Sequence, residues 1–221
     1  MAGRRIKYKL VIFDLDGTII DGTDSIWKTM HEFLGIYDHP KRIELRDKFM
    51  SGRISYAEWA EKDMELMIAH GIDRDKMFRA MKNLKLVKGA RETLEKLKAR
   101  GMKLALVSGS LDIVLEKFIP DYRKIFSHVY IVSVIFDERG RVKAIDACHD
   151  AWNKHIALLE ICKAEGITPD ECVFVGDHSN DVSAAKAAGL SIAFDPKSAE
   201  LKKAADVVIE KKDLRGILKI I

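Results

Sequence analysis

The chain reads Lys9-Leu-Val-Ile-Phe-Asp-Leu-Asp-Gly-Thr18 shortly after its start. Four consecutive apolar residues followed by an acidic turn are typical of a buried parallel strand whose carboxyl end lies at a functional site. Asp14 and Asp16 are two residues apart, so the alternation of an extended chain turns both side chains toward one side. The stretch therefore predicts an α/β core whose first strand presents two convergent carboxylates.

Similar short apolar runs recur along the chain and alternate with helical patterns. The runs lie at 103–108, 172–177, 190–194 and 206–209, and the helical patterns at 90–100, 111–118, 151–165, 180–188 and 198–204. Strands and helices in alternation predict a doubly wound parallel sheet with helices on both faces.

Two stretches break this alternation. Residues 21–86 carry only helical patterns, with breaks at 38–40 and 71–73, and predict a cap domain of about four helices. This cap is inserted into a core domain formed by residues 1–20 and 87–221. Residues 129–145 hold two β-rich segments around the turn at 137–140, which predicts a β-hairpin.

The composition is that of a globular protein. Of 221 residues, 48% are hydrophobic and 33% charged, which allows a core beneath a charged surface and argues against disorder. The 38 Lys and Arg against 34 Asp and Glu give a formal charge of +4, too small and too mixed to indicate a nucleic-acid partner. No apolar run approaches the roughly 18 residues of a membrane span.

Other features of composition suggest where the protein works. The first residues lack the apolar region of a signal peptide, so we expect a cytoplasmic protein. The absence of Gln and the presence of only three Asn favour a thermophilic source. Cys148, Cys162 and Cys172 are odd in number and lack CxxC spacing, so we expect buried thiols and neither a disulfide framework nor a zinc site. The sequence leaves the oligomeric state open.

Hydroxyl groups accompany two of the strand ends. Thr18 follows the first acidic turn and offers an oxygen to a neighbouring carboxylate or a phosphate. Ser108, Gly109 and Ser110 follow the second strand and lead into a predicted helix, where hydroxyls and N–H groups favour an anion. The alternative for Ser110 is a simple helix N-cap.

A third strand end adds more acids, in Gly176-Asp177-His178-Ser179-Asn180-Asp181. Asp177 and Asp181 join Asp14 and Asp16 at one sheet edge, where four carboxylates and a phosphate dianion repel one another unless a cation is present. All-oxygen ligands favour Mg²⁺. The alternative for Asp181 is an ordinary acid at a helix N-terminus. Lys154 is a cation that could neutralise developing charge, or one of many surface lysines.

In these motifs the chain resembles the haloacid dehalogenase superfamily. Its four motifs match residues 14–18, Ser108, Lys154 and residues 176–181, in order. The helical insertion and the hairpin look most like those of phosphoserine phosphatases, and the similarity spans about residues 9–221. The resemblance implies a Rossmann-like core with a cap and a Mg²⁺-dependent hydrolase that acts on a small phosphorylated metabolite.

The resemblance also implies roles for individual residues. Asp14 is the nucleophile that forms an aspartyl-phosphate, and Asp16 is first the general acid and then the general base. Mg²⁺ is held by Asp14, the backbone carbonyl of Asp16 and Asp177, with Asp181 orienting the shell. The phosphate-binding set, with Thr18 included for its hydroxyl, is Thr18, Ser108, Gly109, Lys154 and Asn180.

The chain departs from the phosphoserine phosphatases at three positions. Thr23 and Asp63 stand where these relatives place a Glu and an Arg that bind the substrate's amino and carboxylate groups. Since Asp63 cannot pair with a carboxylate, we expect phosphoserine to be a poor substrate. His178 replaces a Gly and is expected to face solvent, with substrate contact as the alternative.

Two other functions fit part of the pattern. Some relatives with helical caps are phosphomutases, which pass the phosphoryl group to a second hydroxyl. A receiver domain also phosphorylates an Asp at a strand end, but it has no need of a helical insertion. Trp27, Trp59 and the methionines of residues 21–86 are expected to form the cap core and part of a substrate-facing wall.

Overall fold

The structure is a computed structural model that describes residues 8–147 and 150–221. Its strands are β1 (Leu10–Phe13), β2 (Ile20–Asp21), β3 (Lys85–Leu86), β4 (Lys103–Leu111), β5 (His128–Phe136), β6 (Val142–Asp146), β7 (Cys172–Gly176), β8 (Leu190–Phe194) and β9 (Val207–Ile209). Its α-helices are α1 (Ile26–Leu34), α2 (Pro40–Met50), α3 (Tyr56–Ala69), α4 (Arg74–Ala80), α5 (Ala90–Ala99), α6 (Asp112–Phe118), α7 (Tyr122–Ile125), α8 (Lys154–Glu165), α9 (Val182–Ala187) and α10 (Ala199–Ala204).

A seven-stranded sheet organises the molecule, in the order β6-β5-β4-β1-β7-β8-β9. All neighbouring pairs are parallel except β5 and β6. β1 lies in the middle of the sheet. This position suits its four residues, which are all apolar and are fully buried there. Leu10 pairs with Lys103 on one side and Cys172 on the other. The predicted doubly wound parallel sheet is confirmed.

The two faces of the sheet are covered by different helices. Along β1, Val11 and Phe13 pack into one apolar layer with α5 and α6, whereas Leu10 and Ile12 pack into the other with α8, α9 and α10. This division follows from the two-residue period of an extended strand. The predicted core helices end within one residue of the expected positions, and α7 was not predicted. α8, for example, is followed by Gly166, which adopts a left-handed φ of 64°.

The predicted hairpin is present and extends the main sheet. β5 pairs in parallel with β4 and in antiparallel fashion with β6, with Ser133 opposite Asp146. The turn contains Asp137, which accepts hydrogen bonds from the backbone N–H groups of Arg139 and Arg141. One edge of the sheet is therefore formed by β6, and the other by β9.

Residues 21–86 form the helical insertion, which contains α1 to α4 and leaves and rejoins the core through the short antiparallel pair of β2 and β3. Most of its methionines are buried, as expected, at positions 30, 64, 67, 77 and 81. Met50 instead is exposed and lines a cavity. Four helices confirm the predicted content of the insertion, and its status as a separate domain stays a prediction.

Several local expectations differ from the structure. β4 continues three residues beyond Ser108 to Leu111, so the following helix begins at Asp112. The interpretation of Ser110 as a helix N-cap is therefore wrong. Cys162 and Cys172 are buried free thiols, as expected, and Cys148 lies outside the described residues. Within those residues, none of the helices has the length and apolar character needed to span a membrane.

Candidate active site

Three parallel strands end at one place and bring the predicted residues together. β1 leads into Asp14 and Asp16, the end of β4 carries Ser108, and β7 leads into Asp177. The carboxyl ends of adjacent parallel strands meet at one edge of the sheet, which is where α/β proteins bind ligands. A cavity of about 390 Å³ opens there, between the sheet edge and the helical insertion.

Asp16 is held from two sides. Its Oδ2 accepts a hydrogen bond of 2.7 Å from the backbone N–H of Ile26, and its Oδ1 accepts one of 2.9 Å from Ser110 Oγ. Burial and the neighbouring charge of Asp14 raise the pKa of Asp16 to about 7, against the opposing hydrogen bonds. A carboxyl that titrates near neutrality can both give and take a proton.

Lys154 is wholly buried at the start of α8 and is not a surface lysine. Its Nζ donates to Asp14 Oδ1 at 2.7 Å and to Asp181 Oδ1 at 2.6 Å. Burial disfavours the charged ammonium, but the two carboxylates outweigh burial and raise the pKa of Lys154. The ammonium therefore stays charged and fixes the position of Asp14.

Asp181 is not an ordinary helix acid either. Its Oδ2 accepts hydrogen bonds from the backbone N–H groups of Asp177 and His178, at 2.8 and 3.0 Å. These bonds hold the loop between β7 and α9 in shape. Burial raises the pKa of Asp181 although Lys154 opposes the shift.

Asp177 has an unusual environment, because both of its carboxylate oxygens are buried without a hydrogen-bond partner among the described residues. Burial and the charges of Asp14 and Asp181 raise its pKa to about 9. Gly17 leaves the room for this carboxylate: a Cβ at Gly17, whose φ is 79°, would lie 2.1 Å from Asp177 Oδ2. A buried carboxyl group that accepts no hydrogen bond is a candidate ligand for a cation, because a cation would offset the cost of burying its charge.

The acidic cluster fits a metal ion. One oxygen each of Asp14, Asp177 and Asp181 lies within 4.8 Å of the others. Oxygen ligands of this kind suit a hard divalent cation. The side chain of Asp16 lies outside this group and is engaged by Ile26 and Ser110. That the backbone carbonyl of Asp16 is a ligand of the metal stays a prediction.

The predicted phosphate-binding residues are only partly brought together. Ser108, Gly109 and Asn180 line the cavity beside Asp14, and Lys154 reaches the site through its bond to Asp14. Thr18 is fully buried and is not part of the cavity wall. Its hydroxyl makes no hydrogen bond to any described residue.

An irregularity in β4 shapes the loop at Ser108. Val107 pairs with Tyr130 and Leu111 with Val132, so four residues of β4 span the distance that two residues of β5 span. Such a bulge re-aims side chains and backbone. Here it lets Ser110 reach Asp16 while Ser108 and Gly109 face the cavity.

Two residues of the insertion hold this loop, and sequence reasoning did not assign them there. Trp27 Nε1 and Tyr56 Oη donate hydrogen bonds of 2.8 and 3.1 Å to the carbonyl oxygen of Gly109. A side chain at Gly109 would lie 2.8 Å from Ala151 Cβ. The contacts join residues 53 and 82 positions apart, so no local pattern in the sequence could have revealed them.

The positions that depart from phosphoserine phosphatases have partners within the insertion. Asp63 is fully buried, and a hydrogen bond of 2.7 Å joins its Oδ2 to His31 Nε2. Thr23 shares a hydrogen bond of 2.8 Å with Thr29 and does not line the cavity. His178 lines the cavity and is part-buried.

Comparison with known proteins places this site in a family. Residues 8–189 match the model of the haloacid dehalogenase-like hydrolases. The chain belongs to this family. A protein of Methanocaldococcus jannaschii named phosphoserine phosphatase is 36% identical, over 97% of this chain and 98% of the relative.

Solved structures agree with the assignment to this hydrolase family. A structure described as a phospho-aspartyl intermediate analogue of phosphoserine phosphatase has a TM-score of 0.73 and 31% identity, and covers 97% of this chain and 99% of that chain. An apo phosphoserine phosphatase has a TM-score of 0.74 and 30% identity, over 97% and 100% of the two chains. The predicted family and reaction class are confirmed: the chain is a phosphomonoester hydrolase of the haloacid dehalogenase-like type.

Proposed function

We propose that the protein hydrolyses small phosphate monoesters in two steps, through an aspartyl-phosphate on Asp14 and with Mg²⁺ as its metal. The observation that carries the proposal is the contrast between the two acids of the first turn. Asp14 is bound to the Lys154 ammonium and stays available as a nucleophile, whereas the pKa of Asp16 is raised to about 7. Two carboxyls with different environments can take different roles.

In the first step, a carboxylate oxygen of Asp14 attacks phosphorus and the bond from phosphorus to the ester oxygen breaks. Protonated Asp16 gives its proton to the leaving oxygen, so the product is a neutral alcohol. Asp16 is held in place for this transfer by Ile26 and Ser110.

In the second step, Asp16 is a carboxylate and takes a proton from water, whose oxygen attacks phosphorus. The bond between Asp14 and phosphorus breaks, which regenerates the Asp14 carboxylate and releases inorganic phosphate. Asp16 ends protonated and ready for the next turnover. A pKa near 7 supports both halves of this cycle at neutral pH.

The phosphoryl oxygens are bound by Ser108 Oγ, the N–H of Gly109, the amide of Asn180 and Lys154. The Lys154 ammonium has three protons, and the bonds to Asp14 and Asp181 use two of them. The third can be donated to a phosphoryl oxygen. Fixed donors of this kind stabilise the charge of the transferring group.

Mg²⁺ would be held by Asp14 and Asp177, with Asp181 orienting the shell. The two buried, unpartnered oxygens of Asp177 support this assignment. When bound, the ion supplies positive charge that neutralises the phosphoryl oxygens. Mg²⁺ is preferred to Ca²⁺, since it combines few carboxylates with waters and a substrate phosphate.

Phosphoserine is the substrate named for the relatives, but the recognition positions argue against it here. Asp63 is buried against His31, and Thr23 is turned to Thr29. Thr23 carries no charge for the amino group of phosphoserine, and Asp63 carries the wrong charge for its carboxylate. A cytoplasmic location, a thermophilic source and the absence of a nucleic-acid partner stay predictions.

The proposal is tested by release of inorganic phosphate from a panel of phosphate monoesters. We expect release that requires Mg²⁺, stops in excess chelator and is abolished in Asp14→Asn, with Asp75→Asn, an exposed acid of α4, as the control. Intact-protein mass spectrometry of quenched wild-type enzyme should show one added phosphoryl group that Asp14→Asn lacks. Activity in Asp14→Asn refutes the nucleophile, and substrate isomerisation without free phosphate identifies a phosphomutase.

A further inference from the structure

The cavity that holds the carboxylates is also lined by aromatic residues. We propose that the leaving group of the physiological substrate carries a planar aromatic ring, such as a nucleobase, that packs on these residues. The inference rests on the proposed phosphatase activity and specifies its substrate class. The cavity volume of about 390 Å³ lies within the range of pockets that hold drug-sized ligands, about 300–1,000 Å³.

The direction of the leaving group follows from Asp16. The ester oxygen must lie beside the carboxyl that protonates it, and Asp16 is hydrogen-bonded to Ile26, the first residue of α1. The next residue, Trp27, lines the cavity and is bound to the carbonyl of Gly109. The alcohol therefore leaves phosphorus toward the aromatic side of the cavity.

The aromatic wall is continuous and comes from both the insertion and the core. The ring centroids of Trp27 and Trp59 are 5.0 Å apart, those of Trp59 and Phe49 are 5.6 Å apart, and those of Phe49 and Trp152 are 5.9 Å apart. All four residues line the cavity. We call Trp27, Phe49, Trp59 and Trp152 the aromatic wall.

The aromatic wall is not simply a buried core. Trp152 is 38% exposed, and Met50, which also lines the cavity, is 53% exposed. Apolar surface left open to water next to buried catalytic carboxylates is typical of a ligand site. A flat ring that covers this surface gains both apolar burial and stacking with the rings.

Charged side chains around the cavity narrow the chemical class of the leaving group further. Aromatic rings also bind quaternary ammonium groups, but Lys28, Arg42 and Arg46 line the same cavity and repel a cation. The Arg42 guanidinium lies 4.4 Å from the centre of the Tyr37 ring. Asp24 is the acid that the insertion contributes to the described cavity wall, and it is exposed and lies 3.4 Å from the Lys28 ammonium. An uncharged aromatic ring fits these surroundings best.

The experiment compares kcat/KM for adenosine 5′-monophosphate and ribose 5-phosphate, which share the same primary phosphoester and differ in the base. Stacking of one base on an aromatic side chain corresponds to about 5- to 150-fold, or about 1–3 kcal/mol at 1.4 kcal/mol per tenfold. We expect the nucleotide to be preferred by a factor in this range. Phosphoserine and phosphocholine are measured in parallel as representatives of zwitterionic and cationic leaving groups.

Substitutions in the aromatic wall test whether its rings cause the preference for the nucleotide. Trp152→Leu removes an exposed ring and should reduce the ratio of the two kcat/KM values toward one, and Phe49→Leu should do the same from the insertion side. Phe33→Leu, at an exposed residue of α1 that does not line the cavity, should leave the ratio unchanged. The measured quantity is a ratio within each variant, so a loss of folded enzyme does not affect it.

The outcomes separate the inference from the function on which it rests. If no phosphoester is hydrolysed with Mg²⁺, the proposed phosphatase is wrong. If phosphate is released but ribose 5-phosphate equals the nucleotide, or phosphoserine or phosphocholine exceeds both, the phosphatase stands and the aromatic substrate class is refuted. An unchanged ratio in both Trp152→Leu and Phe49→Leu likewise refutes the role of the wall.

Discussion

Replacement of Lys154 by Met should lower the free energy of unfolding by about 3–5 kcal/mol, the typical cost of removing one partner of a buried ion pair. Met is similar in length to Lys and fills the space without a charge. The Nζ of Lys154 lies 2.7 Å from Asp14 and 2.6 Å from Asp181, and no part of it is exposed. Its loss leaves two buried carboxylates without their counter-ion.

The expected change in melting temperature follows from the size of the protein. A chain of 150–250 residues loses about 2–4 °C per kcal/mol, so Lys154→Met should melt about 6–20 °C below the wild type at pH 8 in chelator. The deficit should be smaller at pH 5. A buried carboxyl with a raised pKa, such as Asp181, binds its proton more readily in the folded state, so lower pH relieves the unpaired charge.

The assay is thermal and urea unfolding followed by circular dichroism. Lys163→Met, at an exposed lysine of the same helix, is the matched control and should change stability by less than about 1 kcal/mol. Mg²⁺ should return part of the lost stability to Lys154→Met. If the free energy of unfolding of this variant is within about 1 kcal/mol of that of the wild type at pH 8 in chelator, the buried ion pair does not stabilise the fold by the expected amount.

Four further predictions concern the acids, the metal and the substrate. Asp16→Asn should lower kcat for alkyl phosphates by about 10²- to 10⁴-fold, and less for nitrophenyl phosphate, because a good leaving group needs no proton; equal losses for both esters would argue against a general acid. In chelator, stability should fall as pH rises from about 4 to about 9, because folded Asp16 and Asp177, with pKa values of about 7 and 9, retain protons that the unfolded chain releases. Added Mg²⁺ should raise the melting temperature more at pH 8 than at pH 5, since the metal requires ionised carboxylates; an equal rise at both pH values contradicts this linkage. Phosphoserine should be about 30- to 4,000-fold less efficient than the best small phosphoester, because Asp63 offers no charge-assisted contact to its carboxylate; a kcat/KM comparison at saturating Mg²⁺ in which phosphoserine is best would overturn this expectation.

The positions of the strands and of the main acids could be predicted from local sequence. The apolar run of β1 and the alternation of Asp14 and Asp16 depend on neighbouring residues, so a few letters of sequence are enough. The metal site was predicted from charge, because Asp177 and Asp181 follow another strand of the same sheet and therefore add two carboxylates to those of Asp14 and Asp16. Lys154 was assigned to the active site only through the resemblance of the four motifs to a known superfamily. The residues around Lys154 in the sequence do not distinguish it from a surface lysine.

Other features depend on contacts between residues far apart in the chain. Leu111 pairs with Val132 and prolongs β4, and this nonlocal pairing overrides the helix cap that the sequence around Ser110 suggests.

The sequence alone predicted a parallel sheet, the alternation of strands and helices along the chain and the acids at the sheet edge, because these features depend on short-range periodicity and charge. Only the tertiary structure decided that Trp27 and Tyr56 hold the Gly109 loop and that aromatic rings from the insertion and the core contact one another in one wall of the cavity. The physical reason is that such contacts form between surfaces whose relative placement is set by the packing of the whole chain.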